Sequence, residues 1–210
     1  NLSRSRLVGS TMGFSNLTGA DLSMANLSGS YLTASNFDDS DLMKANLENA
    51  DLTRASLSGC NLTGANLNGA RLQGTDLSLA VMNGAYLNGA NLLGAKLNWA
   101  DLGDSTLKNC QFARAELFGA NLSNCDLTNS DFTRSYLLRA NLFRSNLENA
   151  KFDSSDLTGA NLSKTSFPEG SLIGVNLNDV VLSGADLSGA TLDSMIVKRV
   201  NMHRTVLRSA

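Results

Sequence analysis

The sequence predicts an all-β fold in which the chain winds as a four-sided coil, and three observations carry that expectation. First, a large apolar residue stands at every fifth position, from Leu2, Leu7 and Met12 to Leu207; these 42 positions hold only Leu, Phe, Met or Val. Second, the position two before the next such centre is small, with Ala at 20 sites and Ser at 11, and the residue just before the centre is Asn or Asp at 23 of 42. Third, sorting by 20 residues orders the exceptions, placing Phe112, Phe132 and Phe152 in one column.

A helix cannot use the first pattern. Five residues advance a helix by about 140°, so the centres would spread over its whole surface. Strand alternation fits, because residues two apart point the same way. The small residue and the centre then face inward, and the Asn or Asp between them faces out. From a centre to the next small residue is three steps, so alternation fails once per repeat and a turn must occupy the two intervening residues.

Such a chain buries its apolar side only by winding into a coil whose backbone pairs with the coils above and below. Four sides of five residues follow from the order in columns of 20. The second turn position after Leu7, Leu27 and their successors is Gly or Asn at 9 of 11 sites, against 11 of 31 in the other columns. Gly and Asn tolerate the positive φ that a type II turn needs at its third residue, so that column is expected to carry such turns. Pro168, at the preceding turn position of the same column, has the fixed φ that suits them.

The stretch Asn61 to Ala95, NLTGANLNGARLQGTDLSLAVMNGAYLNGANLLGA, shows the A-[DN]-L-x-x rhythm at its clearest, and by it the chain resembles the pentapeptide-repeat family. The resemblance covers all 210 residues and implies a right-handed quadrilateral parallel β-helix of about ten coils. It says little about function, since the family holds several unrelated roles. Repeat architectures run as one continuous unit, so residues 1–210 are expected to form a single pentapeptide-repeat β-helix domain. The chain starts and ends in phase with the repeat, as a segment of a longer protein would.

Cys60, Cys110 and Cys125 all take the small inward position, in three different columns. Buried thiols acting as small apolar groups are the plain reading, and an odd number in separate columns argues against a disulfide framework. With no signal peptide and no apolar run near the ~20 residues of a membrane span, a cytoplasmic setting is the most compatible one and no membrane association is expected.

Chemistry finds no constellation. The single histidine, His203, falls at an outward turn position, and no Cys/His spacing suits a metal. No Gly is followed by Lys-Ser or Lys-Thr as a phosphate loop requires. The acidic stretch Asp38, Asp39, Asp41, Glu48 and Asp51, with Lys44 inside it, reads as solvated turns. Neither a catalytic site, a cofactor nor a metal is expected. The resemblance brings one further reading, because fluoroquinolone-resistance members of the family are rods thought to occupy the DNA site of type II topoisomerases. Duplex DNA carries about one charge per 1.7 Å, whereas here 19 acidic and 17 basic residues leave a net charge of −2. That reading is therefore the alternative. Direct nucleic-acid binding is disfavoured too, since the basic residues Lys198, Arg199, Arg204 and Arg208 cluster only near the C-terminus.

The surface feature that stands out is apolar. Along the corner after Leu77, Leu97, Leu117 and Leu137 lie Leu79, Trp99, Phe118 and Leu138, one per coil, with Tyr136 on the same side. The corner at the other edge of that side carries Leu93, Arg114 and Arg134, with Arg139 and Arg144 nearby. Aromatics mixed with Arg are the stuff of interface hot spots. In the C-terminal coils Val181, Met195, Ile196, Val200 and Val206 enlarge the apolar surface and form a candidate end-to-end contact for a homodimer. The sequence thus predicts a non-catalytic scaffold or protein–protein interaction module whose partner is a protein.

Overall fold

Each outward residue just before a centre pairs with the residue 20 positions on. A computed structural model describes residues 1–210, and in it the parallel bridges run unbroken from Arg6↔Asn26 to Asp186↔Val206 at that one spacing. Twenty residues therefore close one coil of four five-residue sides. Each strand is a single bridge residue between two turns, and no helix is present, so none is long and apolar enough to cross a membrane. We number the sides by the outward residues they carry: face I holds Asp21, Asp41 and their equivalents, face II Asn26 and Asn46, face III Tyr31 and Asp51, and face IV Asn36 and Ser56.

The turns differ from expectation. Positive φ is not confined to the column of Leu7 and Leu27: every second-turn residue has it, from Arg4 (58°) to Ser209 (55°), including Phe14, Leu79, Trp99 and the arginines. All four corners use one turn, closed in most repeats by the amide of the small residue donating to the carbonyl of the centre, as Ala45 does to Leu42 at 2.9 Å. Gly and Asn enrichment marks where this conformation is easiest, not the only place it occurs.

The backbone amides of one repeat show why Asn and Asp precede the centre. In Asp41–Ala45, Asp41 N–H donates to Ala20 of the coil below, and Leu42 and Lys44 donate to Asn61 and Thr63 of the coil above. Ala45 closes the turn, which leaves only the Met43 amide, and the Asp41 carboxylate accepts from it at 3.0 Å. An unpaired amide at the turn would cost stability, and a short acceptor two residues back removes that cost. Where Ser56, Tyr86, Thr106, Glu116 and Ser171 stand in place of Asn or Asp, the coil below supplies the acceptor instead. Ser58, Asn88, Lys108, Phe118 and Ile173 donate to Asp38, Asn68, Asn88, Asn98 and Asp153 at 2.8–3.2 Å.

Inside, 57 buried apolar residues form one continuous core from Leu22 to Ala190. Phe112, Phe132 and Phe152 stack nearly flat, with ring centroids 4.5 and 4.7 Å apart, the spacing of neighbouring strands. Phe167 meets Phe152 edge-on and occupies the space beside Gly170, where any side chain would collide with its ring. The three thiols are buried as expected, and they also act as donors. Cys60, Cys110 and Cys125 point their Sγ at the carbonyls of Phe37, Leu87 and Leu102 at 2.8–3.0 Å, the role Ser130 Oγ plays toward Leu107. Burial pushes the Cys60 thiol up to about 11 and those of Cys110 and Cys125 up to about 12.

Candidate interaction surface

Face IV carries Asp76, Lys96, Glu116, Tyr136 and Asp156 in register on successive coils. Trp99, Phe118 and Tyr136 come together here. Trp99 and Tyr136 are each 56% exposed, Phe118 is half-buried between them, and with Asn98 and Glu116 they line a groove of about 540 Å³. Phe118 meets Trp99 at 5.0 Å between centroids and an interplanar angle of 86°, so the two rings form perpendicular walls. The Trp99 ring lies across Gly119, the one residue type that leaves it room.

The polar end of the groove is fixed by Asn98. Its Oδ1 accepts from the Phe118 amide at 3.0 Å, and its Nδ2 donates to Glu116 Oε2 at 3.1 Å. Glu116 stands where an Asn or Asp normally accepts from that amide. Asn98 has taken over the task, and the longer carboxylate is free to line the groove.

The remaining residues of the expected patch divide between other corners. Leu79 is exposed one coil before Trp99, and half-buried Leu138 lies one coil beyond Phe118. Leu93, Arg114 and Arg134 line a separate groove of about 450 Å³ across the opposite edge of face IV, with Asp131 at its margin. Arg139 rises from the Trp99 corner and rests its stem beside Gly159 in the coil beyond. Arg144 is one corner further round, its guanidinium 4.9 Å from the centre of the Phe143 ring, with Lys164 Nζ 5.6 Å from the same centre. The expected patch is therefore two grooves flanking face IV plus a neighbouring corner: Arg134, Arg139 and Arg144 are five residues apart, and five residues are a quarter turn.

Sequence reasoning passed over Asn98, Glu116 and Phe143, and also Phe14, which is 84% exposed, and Tyr31 beside it. Phe14, Tyr31 and Phe143 obey the outward-position rule that picked out Trp99 and were there to be found. Asn98 and Glu116 are ordinary polar residues whose link spans 18 positions, and nothing in the repeat singles it out.

At the C-terminal end, Val181, Ile196 and Val206 lie on the outward sides of faces I, IV and II, while Met195 and Val200 sit half-buried at inward positions. Beside them Val197, Met202 and Leu207, which occupy centre positions, are exposed. Of the basic residues there, Arg199 is held in a two-point pair with Asp179 at 2.5 and 2.8 Å.

The family model for pentapeptide repeats matches the chain in eight copies that together run from residue 1 to residue 194. Among solved structures, HetL is similar, a pentapeptide repeat protein involved in heterocyst differentiation regulation from the cyanobacterium Nostoc sp. strain PCC 7120. It superposes with a TM-score of 0.80 at 31% identity, over 96% of this chain and 88% of that one. A trypsin-treated form of QnrB1, a plasmid-mediated fluoroquinolone resistance protein, shares the fold at a TM-score of 0.52 and 17% identity, over 80% of this chain and 89% of that one. No curated protein sequence matches the chain.

Proposed function

The chain belongs to the pentapeptide-repeat family and folds as its right-handed quadrilateral β-helix, and from that premise we propose that it is a non-catalytic, rigid rod that serves as a protein–protein interaction module. The observation that carries this reading is the grouping of Trp99, Phe118 and Tyr136 in an open groove. The outward positions of this fold are otherwise mostly Ser, Thr, Asn, Asp and Gly. Contiguous exposed aromatic surface marks contact sites on soluble proteins, and a parallel ladder of this length holds such residues at fixed spacing. HetL, described as involved in regulating a differentiation process, is in keeping with a role exerted through contact.

The test is affinity capture with the wild-type chain, a Trp99→Ser/Phe118→Ser double variant, and Phe14→Ser as a control for general surface stickiness. A partner retained by the wild type and by Phe14→Ser but lost by the double variant supports the reading. Equal retention by all three overturns it. The C-terminal coils are a second contact surface in this proposal, joining two copies end to end through Val181, Met195, Ile196, Val200 and Val206, with exposed Val197 and Met202 beside them; sedimentation as a monomer at high concentration would exclude that arrangement. Mimicry of DNA gains no support from charge, because 19 acidic residues face 17 basic ones.

A further inference from the structure

Building on that interaction reading, we propose that the groove of Trp99, Phe118 and Tyr136 is a cation site, which receives the positively charged side chain of a basic segment in the partner polypeptide.

The faces of aromatic rings carry negative quadrupole charge and attract ammonium and guanidinium groups. Two perpendicular rings with a third beside them can surround such a group, and Trp99 with Phe118 at 86° and Tyr136 alongside provide that arrangement. A purely apolar docking groove has no use for a carboxylate, yet Glu116 lines this one. The Asn98 amide fixes one of its oxygens. Glu116 takes part in none of the three ion pairs of the molecule, which are Arg71–Asp51, Lys108–Asp126 and Arg199–Asp179. Along face IV Glu116 is bridged to Lys96 on one side and to Tyr136 on the other, with Asp76 and Asp156 one coil further out in each direction. Arg139, on the same corner, rests its stem beside Gly159 and is in none of the ion pairs. Ring faces and a carboxylate held in place outside any ion pair together favour a positive guest over a neutral one.

Trp99 is the only tryptophan, so its emission and its indole N–H resonance report this groove alone. The probes are acetylated tripeptide amides of sequence Gly-X-Gly, where X is arginine, lysine, the neutral isostere citrulline, or leucine. The arginine and lysine peptides are expected to shift both Trp99 signals saturably, and the citrulline and leucine peptides to bind about tenfold more weakly or not at all. Glu116→Gln should weaken the charged peptides about tenfold with an unchanged melting curve, and added salt should weaken them further. Citrulline binding as tightly as arginine, affinity unaltered by Glu116→Gln, or no saturable shift with either charged peptide would each overturn the proposal. Tightest binding by the leucine peptide would also overturn it while leaving the docking role of the face intact. Loss of the docking role itself is read separately, from the capture experiment.

Discussion

Trp99 lies across Gly119, with its Cε3 and Cζ3 atoms 2.5 and 2.6 Å from where a β-carbon on that glycine would stand. The pair illustrates a habit of the whole rod. A long second-turn side chain leans along the axis onto the same position of the next coil, where glycine leaves space: Lys44 onto Gly64, Arg54 onto Gly74, Arg139 onto Gly159, Lys164 onto Gly184.

Replacing Gly119 by Ala therefore adds a collision to the cost of a positive φ. Gly89→Ala, where nothing lies within 4 Å, bears the φ cost alone, and that cost is about 1 kcal/mol. We expect Gly119→Ala to be about 1 kcal/mol less stable than Gly89→Ala, with Trp99 emission shifted to the red as the ring is displaced. Chemical denaturation followed by fluorescence measures both.

The phenylalanine stack makes a prediction by size. Phe132 touches a ring on each side, so Phe132→Ala should cost about 3–5 kcal/mol through the cavity it leaves. Phe132→Leu restores the residue usual in that column and should cost less than about 1.5 kcal/mol. Equal melting of the two variants would count against a filled stack.

The five-residue and twenty-residue periods were legible because they are written in side-chain volume: 42 large centres and one column of rings leave few alternatives. The uniform turn was not. Arg114, Leu79 and Trp99 adopt positive φ because the ladders on both sides impose it, so composition at that position reveals only where the conformation is cheap. The groove was half visible. Its aromatics were conspicuous at outward positions, whereas its polar end depends on Asn98 bonding across to Glu116 in the next coil. That link follows from the axial lean of side chains and not from the repeat itself.

Face I carries a chain of amides in which Asn161, Asn141 and Asn121 each donate to the residue one coil below, ending at Asp101. Burial acts to raise the Asp101 pKa, but hydrogen bonds from Asn83, Asn121 and the Gly103 amide outweigh it and hold the carboxyl below its ordinary 3.8. Its stabilising contribution is thus present above 3.8 and is lost as the pH falls through the lower folded value. Asn121→Asp inverts the sign, because the donor becomes a second carboxylate beside the first. That variant should lose stability as the pH rises through about 4–6, and recover on acidification. Melting temperatures of the two proteins should lie apart at the upper end of that range and converge toward its acidic end.

The buried thiols set the alkaline limit. Their folded pKa values of about 11 to 12 exceed the ordinary 9.0, so stability is full below 9.0 and declines as the pH rises toward the folded values. The slope is roughly 1.4 kcal/mol per pH unit for each thiol. A triple Cys→Ala variant, which places the most common inward residue at Cys60, Cys110 and Cys125, should show a flatter decline over the same interval. In the native wild type a thiol reagent should find none of the three.

Because each residue bonds to the one twenty places on, distance along the chain behaves as an angle. Removing five residues anywhere before Lys96 would swing the aromatic groove a quarter turn relative to everything upstream, while removing twenty would only shorten the approach to it. Two segments bound at opposite ends of the rod thus face the same compass direction only when their separation in sequence is a multiple of twenty. A change in length can redirect this molecule while exchanging contacts only between the coils that meet at the cut.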